Sequence, residues 1–223
     1  MLGWFGSSLK AENARLKEEI TLLATSKGAN RISNTNGYQY QSLDITNEDE
    51  VAAIFNTFKP DTIINTAAMT NVDSCESLQR ECWELNVTAV EFLIKYAEQH
   101  QAHLIHLSTD FVFDGEKKVP YTETDLPNPT GIYGQTKLEG EKAIQHTWEK
   151  HFIIRTSWVY SPFGNNFMKT MLRLASERDS ISVVNDQIGT PTNAVDLATA
   201  LIQIILTDNR QPTKNYGIYN FSN

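Results

Sequence analysis

Only two cysteines, Cys75 and Cys82, occur in the 223 residues. Their C-x6-C spacing suits no zinc knuckle, and a disulfide framework needs more than one such pair. Both therefore read as reduced thiols, the usual state in a cytoplasmic protein, and no metal site is expected. Long hydrophobic runs are missing as well: no stretch approaches the roughly 20 apolar residues of a membrane span. The opening Met1-Leu2-Gly3-Trp4-Phe5 is too short for a signal-peptide core and has no basic lead. The expected location is the cytoplasm, with no membrane partner. Positive charge is also scarce. Nineteen Lys and Arg against 27 Asp and Glu give a net charge of −8, which leaves no basic stripe to neutralise phosphates and excludes a general nucleic-acid binder.

What is present is an ordinary globular mixture, 40% hydrophobic and 21% charged, in which apolar runs alternate with amphipathic segments. Ile20–Thr25, Thr62–Asn65, His103–Ser108 and Phe152–Thr156 read as strands. Asn47–Phe58, about Gln79–His100 and Tyr133–Trp148 read as helices, the first opened by a capping box of Asn47 and Glu50. Later segments predict a helix over Asn165–Glu177, a short strand over Ile181–Val184, a helix over Asp196–Leu206 and a last strand near Tyr216–Phe221. This alternation predicts an α/β fold, a doubly wound parallel sheet of Rossmann type. The expected division is a dinucleotide-binding unit over residues 1–156. Residues 157–223 would complete the sheet and form part of a small substrate cap. Ligands in such folds bind at the carboxyl ends of strands, where Asn65-Thr66-Ala67-Ala68, Ser108-Thr109-Asp110 and Thr156-Ser157-Trp158 converge.

Tyr133 and Lys137 stand four residues apart on a predicted helix, hence on one face. Ser108-Thr109 precedes them, Thr109 lying 24 positions before Tyr133. A free tyrosine has a pKa of about 10, too high for efficient proton transfer near neutrality. A neighbouring ammonium would lower it. The five histidines form no spaced cluster, so His103 and His106 read as strand residues rather than ligands. Glu139 and Glu141 read as a solvated helix face.

The ordered blocks Asn65–Asp73, Ser108–Gly115, Pro127-Asn128-Pro129, Tyr133–Glu141, Arg155–Tyr160 and Asn185–Thr192 resemble the extended short-chain dehydrogenase/reductases. Among those, they resemble the dTDP-4-dehydrorhamnose reductase family from about residue 44 onward. The resemblance implies a reductase of a nucleotide-linked 4-keto-6-deoxy sugar. Tyr133 would be the proton donor and Lys137 its tuner and ribose contact, with Thr109 holding the substrate oxygen. Asn86 matches a buried polar position that steadies the catalytic strand. Ala67, Ala68, Met69 and Thr70 would form the cofactor wall, Asp44 and Ile45 the adenine site. Asp110 and Trp158 would contact the sugar nucleotide. Phe111 stands where the family commonly has tyrosine.

One signature is weak. A G-x-x-G-x-x-G fingerprint should follow the first strand, yet only Gly3 and Gly6 match, with no hydrophobic strand before them. That strand lies at the centre of a 3-2-1-4-5-6 sheet, and without it two neighbours keep unpaired backbone groups. The resemblance also implies several dozen residues beyond a segment like Tyr219–Asn223, so the sequence reads as a fragment or a chain truncated at both ends, a sheet lacking its first strand with an incomplete cap. Lys27 and Arg31, in place of a ribose-binding acid, suit a 2′-phosphate and favour NADPH, with NADH as the alternative. A homodimer is compatible with this reading. Two other functions fit the same residues: a reductase or epimerase of another nucleotide sugar, and a non-catalytic subunit resembling the regulatory subunit of methionine adenosyltransferase.

Overall fold

The computed structural model describes residues 20–32, 37–208 and 215–223. In chain order these form β1 (Leu23–Ser26), β2 (Gln39–Ser42), α1 (Glu48–Phe58), β3 (Thr62–Asn65) and α2 (Val72–Ser77). Next comes α3 (Gln79–Trp83), which runs through a wide π turn (Glu84–Thr88) into α4 (Ala89–His100). Then follow β4 (His103–Thr109), α5 (Ile132–Thr147), β5 (His151–Thr156), β6 (Val159–Tyr160), α6 (Phe167–Glu177), β7 (Thr192–Asn193), α7 (Ala194–Asp208) and β8 (Gly217–Phe221).

Local chemistry sets the helix ends. The Asn47 side chain accepts from the backbone N–H groups of Asp49 and Glu50, and Glu48, Asp49 and Glu50 crowd the positive end of α1. The capping box differs in detail from the sequence expectation, because the Glu50 carboxylate takes the Asp44 N–H and the Asn47 side chain. Helix α1 stops at Lys59 in the left-handed region, φ 50°. Helix α2 was not expected; its signal is Asn71, whose side chain accepts from Ser74 N–H.

Four parallel strands in the order β3-β4-β5-β8 make the body. Central β4 is buried along nearly its whole length, so its residues alternate between two cores. Ile105 and Leu107 meet Leu197, Leu201 and Ile202 of α7 on one face. Leu104 meets Ile94 of α4 and Ile144 of α5 on the other. Strands β1 and β2 form a separate parallel pair. Among the described residues, no strand pairs with both this pair and β3. Apolar packing still links the two: Leu23 joins the cluster that holds Ile63, and Ile20 and Leu22 join that of Ile64.

The strand expected at Ile181–Val184 is not formed; those residues are exposed and irregular. β-branched residues favour strands only where a neighbour offers pairing and packing, and none lies beside this stretch. The short β6–β7 pair instead joins Val159-Tyr160 to Thr192-Asn193.

Candidate active site

Parallel register brings three strand ends together, with Asn65 opposite His106 and Thr109 opposite Thr156. Thr109 closes β4 and is buried. Its hydroxyl accepts from Phe111 N–H (3.2 Å) and donates to Asp110 Oδ1 (3.1 Å). Burial raises the Asp110 carboxyl above its ordinary value. The connection to α5 is pinned by Asp114, which accepts from Tyr121 Oη (2.6 Å), Asn128 Nδ2 (3.0 Å) and Glu116 N–H (3.1 Å). These donors hold its carboxyl down at about 2.

Helix α5 begins at Gly131 without a side-chain cap of its own. Glu76, from α2, supplies one: its Oε1 accepts the Ile132 N–H at 2.8 Å and places negative charge at the positive helix end. Gly134 lets this first turn touch the turn after β4. A Cβ there would lie 2.1 Å from the Phe111 carbonyl oxygen. Neither contact was legible as chemistry in the sequence, since both join residues far apart in the chain.

Tyr133 lies in this first turn, 9% exposed, with Phe111 edge-on at 5.5 Å between ring centroids. Burial pushes the phenol up to about 12, against which the Thr109 side chain pulls. Lys137 follows one turn later on the same face, as the spacing predicts. Its Nζ, however, points at β4 rather than at the phenol. It donates to the Leu107 carbonyl (2.7 Å) and meets His106 Nε2 at 3.1 Å. Burial lowers the Lys137 ammonium to about 8. The two sulfurs sit behind the tyrosine as free, buried thiols, and Cys82 donates to Cys75 at 2.6 Å.

Asn86 is buried and engages the segment after β3. In the π turn, its Oδ1 accepts Met69 N–H (2.9 Å), while Nδ2 donates to the Met69 carbonyl (3.2 Å) and to Thr136 Oγ1 (3.1 Å). It thereby ties the segment after β3 to α5. Along that segment Ala67 and Thr70 are exposed, while Ala68 and Met69 are half-buried. Just past β1, Lys27 pairs with Asp44 at 2.5 Å and keeps 79% of its side chain exposed. The pairing holds the Asp44 carboxyl below its ordinary value. Ile45 packs beside α1, and Arg31 is exposed. Gly3 and Gly6 lie outside the described residues. A dinucleotide would meet the small side chains of exposed Ala67 and half-buried Ala68 at one end and, at the other, a Lys27 ammonium already paired with Asp44.

Glu141 overturns the expectation of a solvated face. It is fully buried, bonded to Arg155 through Nη2 (2.6 Å) and Nε (3.0 Å) and to Ser108 Oγ (2.5 Å). Glu139 does face outward, pairing with Lys142. Helix period alone misleads here, because α5 is covered on two sides. Trp158 stands at the mouth, 44% exposed, with φ 44°. Its ring lies so close to Gly189 that a Cβ there would meet it at 3.0 Å. Among the described residues no cluster of three or more His, Cys, Asp or Glu is placed to hold a metal, and no helix is long and apolar enough to cross a membrane.

Comparison with known proteins bears on this arrangement. The dTDP-4-dehydrorhamnose reductase of Aggregatibacter actinomycetemcomitans is 46% identical over 183 residues, covering 82% of this chain and 62% of that one. The reductase of the same name from Escherichia coli (strain K12) is 50% identical over 155 residues, covering 70% of this chain and 52% of that one. The chain thus spans between half and two thirds of the length of these curated relatives. A crystal structure of dTDP-4-dehydrorhamnose reductase from Bacillus anthracis str. Ames in complex with NADP superposes with a TM-score of 0.80 at 35% identity, covering 92% of this chain and 76% of that one. The family model described as the RmlD substrate binding domain matches residues 3–223. The chain belongs to that family.

Proposed function

We propose that this chain carries the proton-donating and cofactor-wall parts of an NADPH-dependent reductase. Its substrate would be a nucleotide-linked 4-keto-6-deoxy sugar, most simply dTDP-4-dehydrorhamnose, in deoxysugar synthesis in the cytoplasm. The observation that carries this reading is buried Tyr133 beside Thr109 at the carboxyl end of β4, with Lys137 one turn later on the same helix, in a member of this family. Tyr133 Oη gives its proton to the sugar's carbonyl oxygen, and the Thr109 hydroxyl steers that oxygen toward it. Bound NADPH supplies the hydride.

A phenol held near 12 by burial stays protonated at rest, as a proton donor must. Asp110 and Trp158 would contact the sugar nucleotide, and Lys27 with Arg31 would meet a 2′-phosphate. Residues 1–156 would serve the cofactor and residues 157–223 the substrate. The test is Tyr133→Phe. Turnover, followed as NADPH oxidation with dTDP-4-dehydrorhamnose, should fall by about 10²–10⁴-fold, while calorimetric NADPH binding stays within about twofold. Undiminished turnover would sink the assignment.

A further inference from the structure

A buried ion pair lies two turns along the helix from Tyr133, and the reaction as described does not use it. Glu141 of α5, Arg155 of β5 and Ser108 of β4 are 0%, 4% and 5% exposed. Ser108 stands opposite Arg155 in the register of the two strands. Both face α5, since Leu104 and Ile153, an even number of residues earlier, belong to the core beneath that helix. Arg155 donates to Glu141 through Nε (3.0 Å to Oε1, 3.2 Å to Oε2) and Nη2 (2.6 Å to Oε2), and Ser108 Oγ donates to Oε1 at 2.5 Å.

Stability alone is a poor account of this arrangement. Apolar side chains can often replace a whole buried ion pair without loss. Here Arg155 Nη1 also has no hydrogen-bond partner among the described residues, which itself costs free energy. What a planar fork on a carboxylate supplies is direction. The guanidinium also lies over the Phe113 ring at 5.1 Å, and Phe113 stacks on Tyr121 at 4.2 Å. The connection between β4 and α5 is thus held from the same point.

Three successive turns of α5 meet the last residues of β4. Tyr133 stands beside Thr109, Lys137 donates to the Leu107 carbonyl, and Glu141 takes the Ser108 hydroxyl. Side chains on a helix lean toward its amino end. Glu141, about 12 Å along the axis from Tyr133, therefore reaches back to the residue next to Thr109. Close backbone contacts leave the helix little slack: a Cβ on Gly134 would lie 2.1 Å from the Phe111 carbonyl oxygen, and one on Gly140 2.6 Å from that of Asn86. We propose that Glu141 is a positioning residue for Tyr133. With Arg155 aiming its carboxylate and Ser108 tying it to β4, Glu141 sets the register of α5 along β4, and hence the placement of the phenol at Thr109. The proposal rests on the reductase reading only in giving Tyr133 a task.

Two substitutions separate placement from charge. Glu141→Gln keeps the length of the side chain, so its amide oxygen can take Arg155 Nη2 and its NH₂ can meet Ser108 Oγ, but the charge is gone. Glu141→Asp keeps the charge and shortens the reach by one methylene, about 1.5 Å. The placement of Tyr133 is read at pH 7 as nuclear Overhauser cross-peaks between its ring and that of Phe111, whose centroids lie 5.5 Å apart, in a chain labelled in tyrosine and phenylalanine. Tyr133 is identified by the signal lost in Tyr133→Phe, and the denaturant midpoint is measured alongside. A pair that only stabilised the fold would make Gln the more damaging by both measures. Positioning splits them: Glu141→Gln should lower the midpoint more yet retain the cross-peaks, and Glu141→Asp should lower it less yet lose them. Retained cross-peaks in Glu141→Asp overturn the proposal, as does their loss in a folded Glu141→Gln chain. An Asp variant that is also the less stable of the two overturns it as well. If either variant fails to fold, Ser108→Ala decides. It leaves the ion pair intact, removes only the tie to β4 and should lose the same cross-peaks; their retention overturns the proposal. No readout needs turnover, so the expected split in a chain that reduces no sugar would reject the reductase reading and leave this one standing.

Discussion

The four-stranded body and the stretch that follows β5 treat their side chains in opposite ways. In the body, Asn65, His106, Lys137, Glu141 and Ser108 are all buried and all hydrogen-bonded, so each fixes its neighbour. Helix α6, by contrast, buries none of its residues. Phe163, Phe167, Leu172, Val184 and Ile188 are all exposed. The half of the site proposed to handle the proton therefore stands on a scaffold whose geometry is over-determined. The half expected to grip the sugar stands on a surface held mainly by Trp158, Ser157 and the β6–β7 pair. Chemistry that needs sub-ångström placement belongs to the first region, while the second can vary without disturbing it.

The largest test of that contrast is Glu141→Ala. It strips Arg155 of its partner inside the body, and should destabilise the chain by about 3–5 kcal/mol, read as a fall in the denaturant midpoint at constant m-value. Gly134→Ala forces a Cβ onto the Phe111 carbonyl, and should cost about 1–3 kcal/mol, with Tyr133 displaced along with its helix turn. Glu76→Ala removes the cap on α5, with an expected loss of about 1 kcal/mol in the same assay.

Asp114 gives a pH signature at the junction of the two halves. Its folded pKa of about 2 lies below the ordinary carboxylate value of about 3.9. The stabilisation is therefore complete above about pH 4 and is lost as pH falls toward about 2. Acid titration followed by Tyr121 fluorescence should show the loop from Phe113 to Asn128 loosening in that window, and Asp114→Asn should shrink the transition to the part due to Asp125, which Lys117 and Thr122 also hold down at about 2. Leu172→Ser in α6 should change stability by no more than about 0.5 kcal/mol. A loss above about 2 kcal/mol would show that the exposed half is held more firmly than its surface suggests.

Local signals served the sequence reading well. Asn47 marks a helix start because a short side chain meets orphan N–H groups a few residues on. Tyr133 and Lys137 share a face because four residues make about one turn. Most strand ends were likewise legible. The direction of the Lys137 side chain was not, because it is set by His106 and the Leu107 carbonyl some 30 residues away. Glu141 was misplaced for the same reason: its partner, Arg155, comes from a different element. Ile181–Val184 failed in the reverse sense. Its residues carry strand propensity, but propensity cannot supply a neighbouring strand.

The π turn at Glu84–Thr88 carries one residue more than an α-helical turn would hold, and Asn86 sits on it. Winding this turn at regular α pitch with all its residues kept would rotate α3 about 100° around the common axis relative to α4. Cys82 would swing away from Thr136, and the Asn86 clasp on Met69 would open. The two ends of this long helix are thus phased independently, one to α5 and the other to the core. A single inserted residue serves as the gear between them.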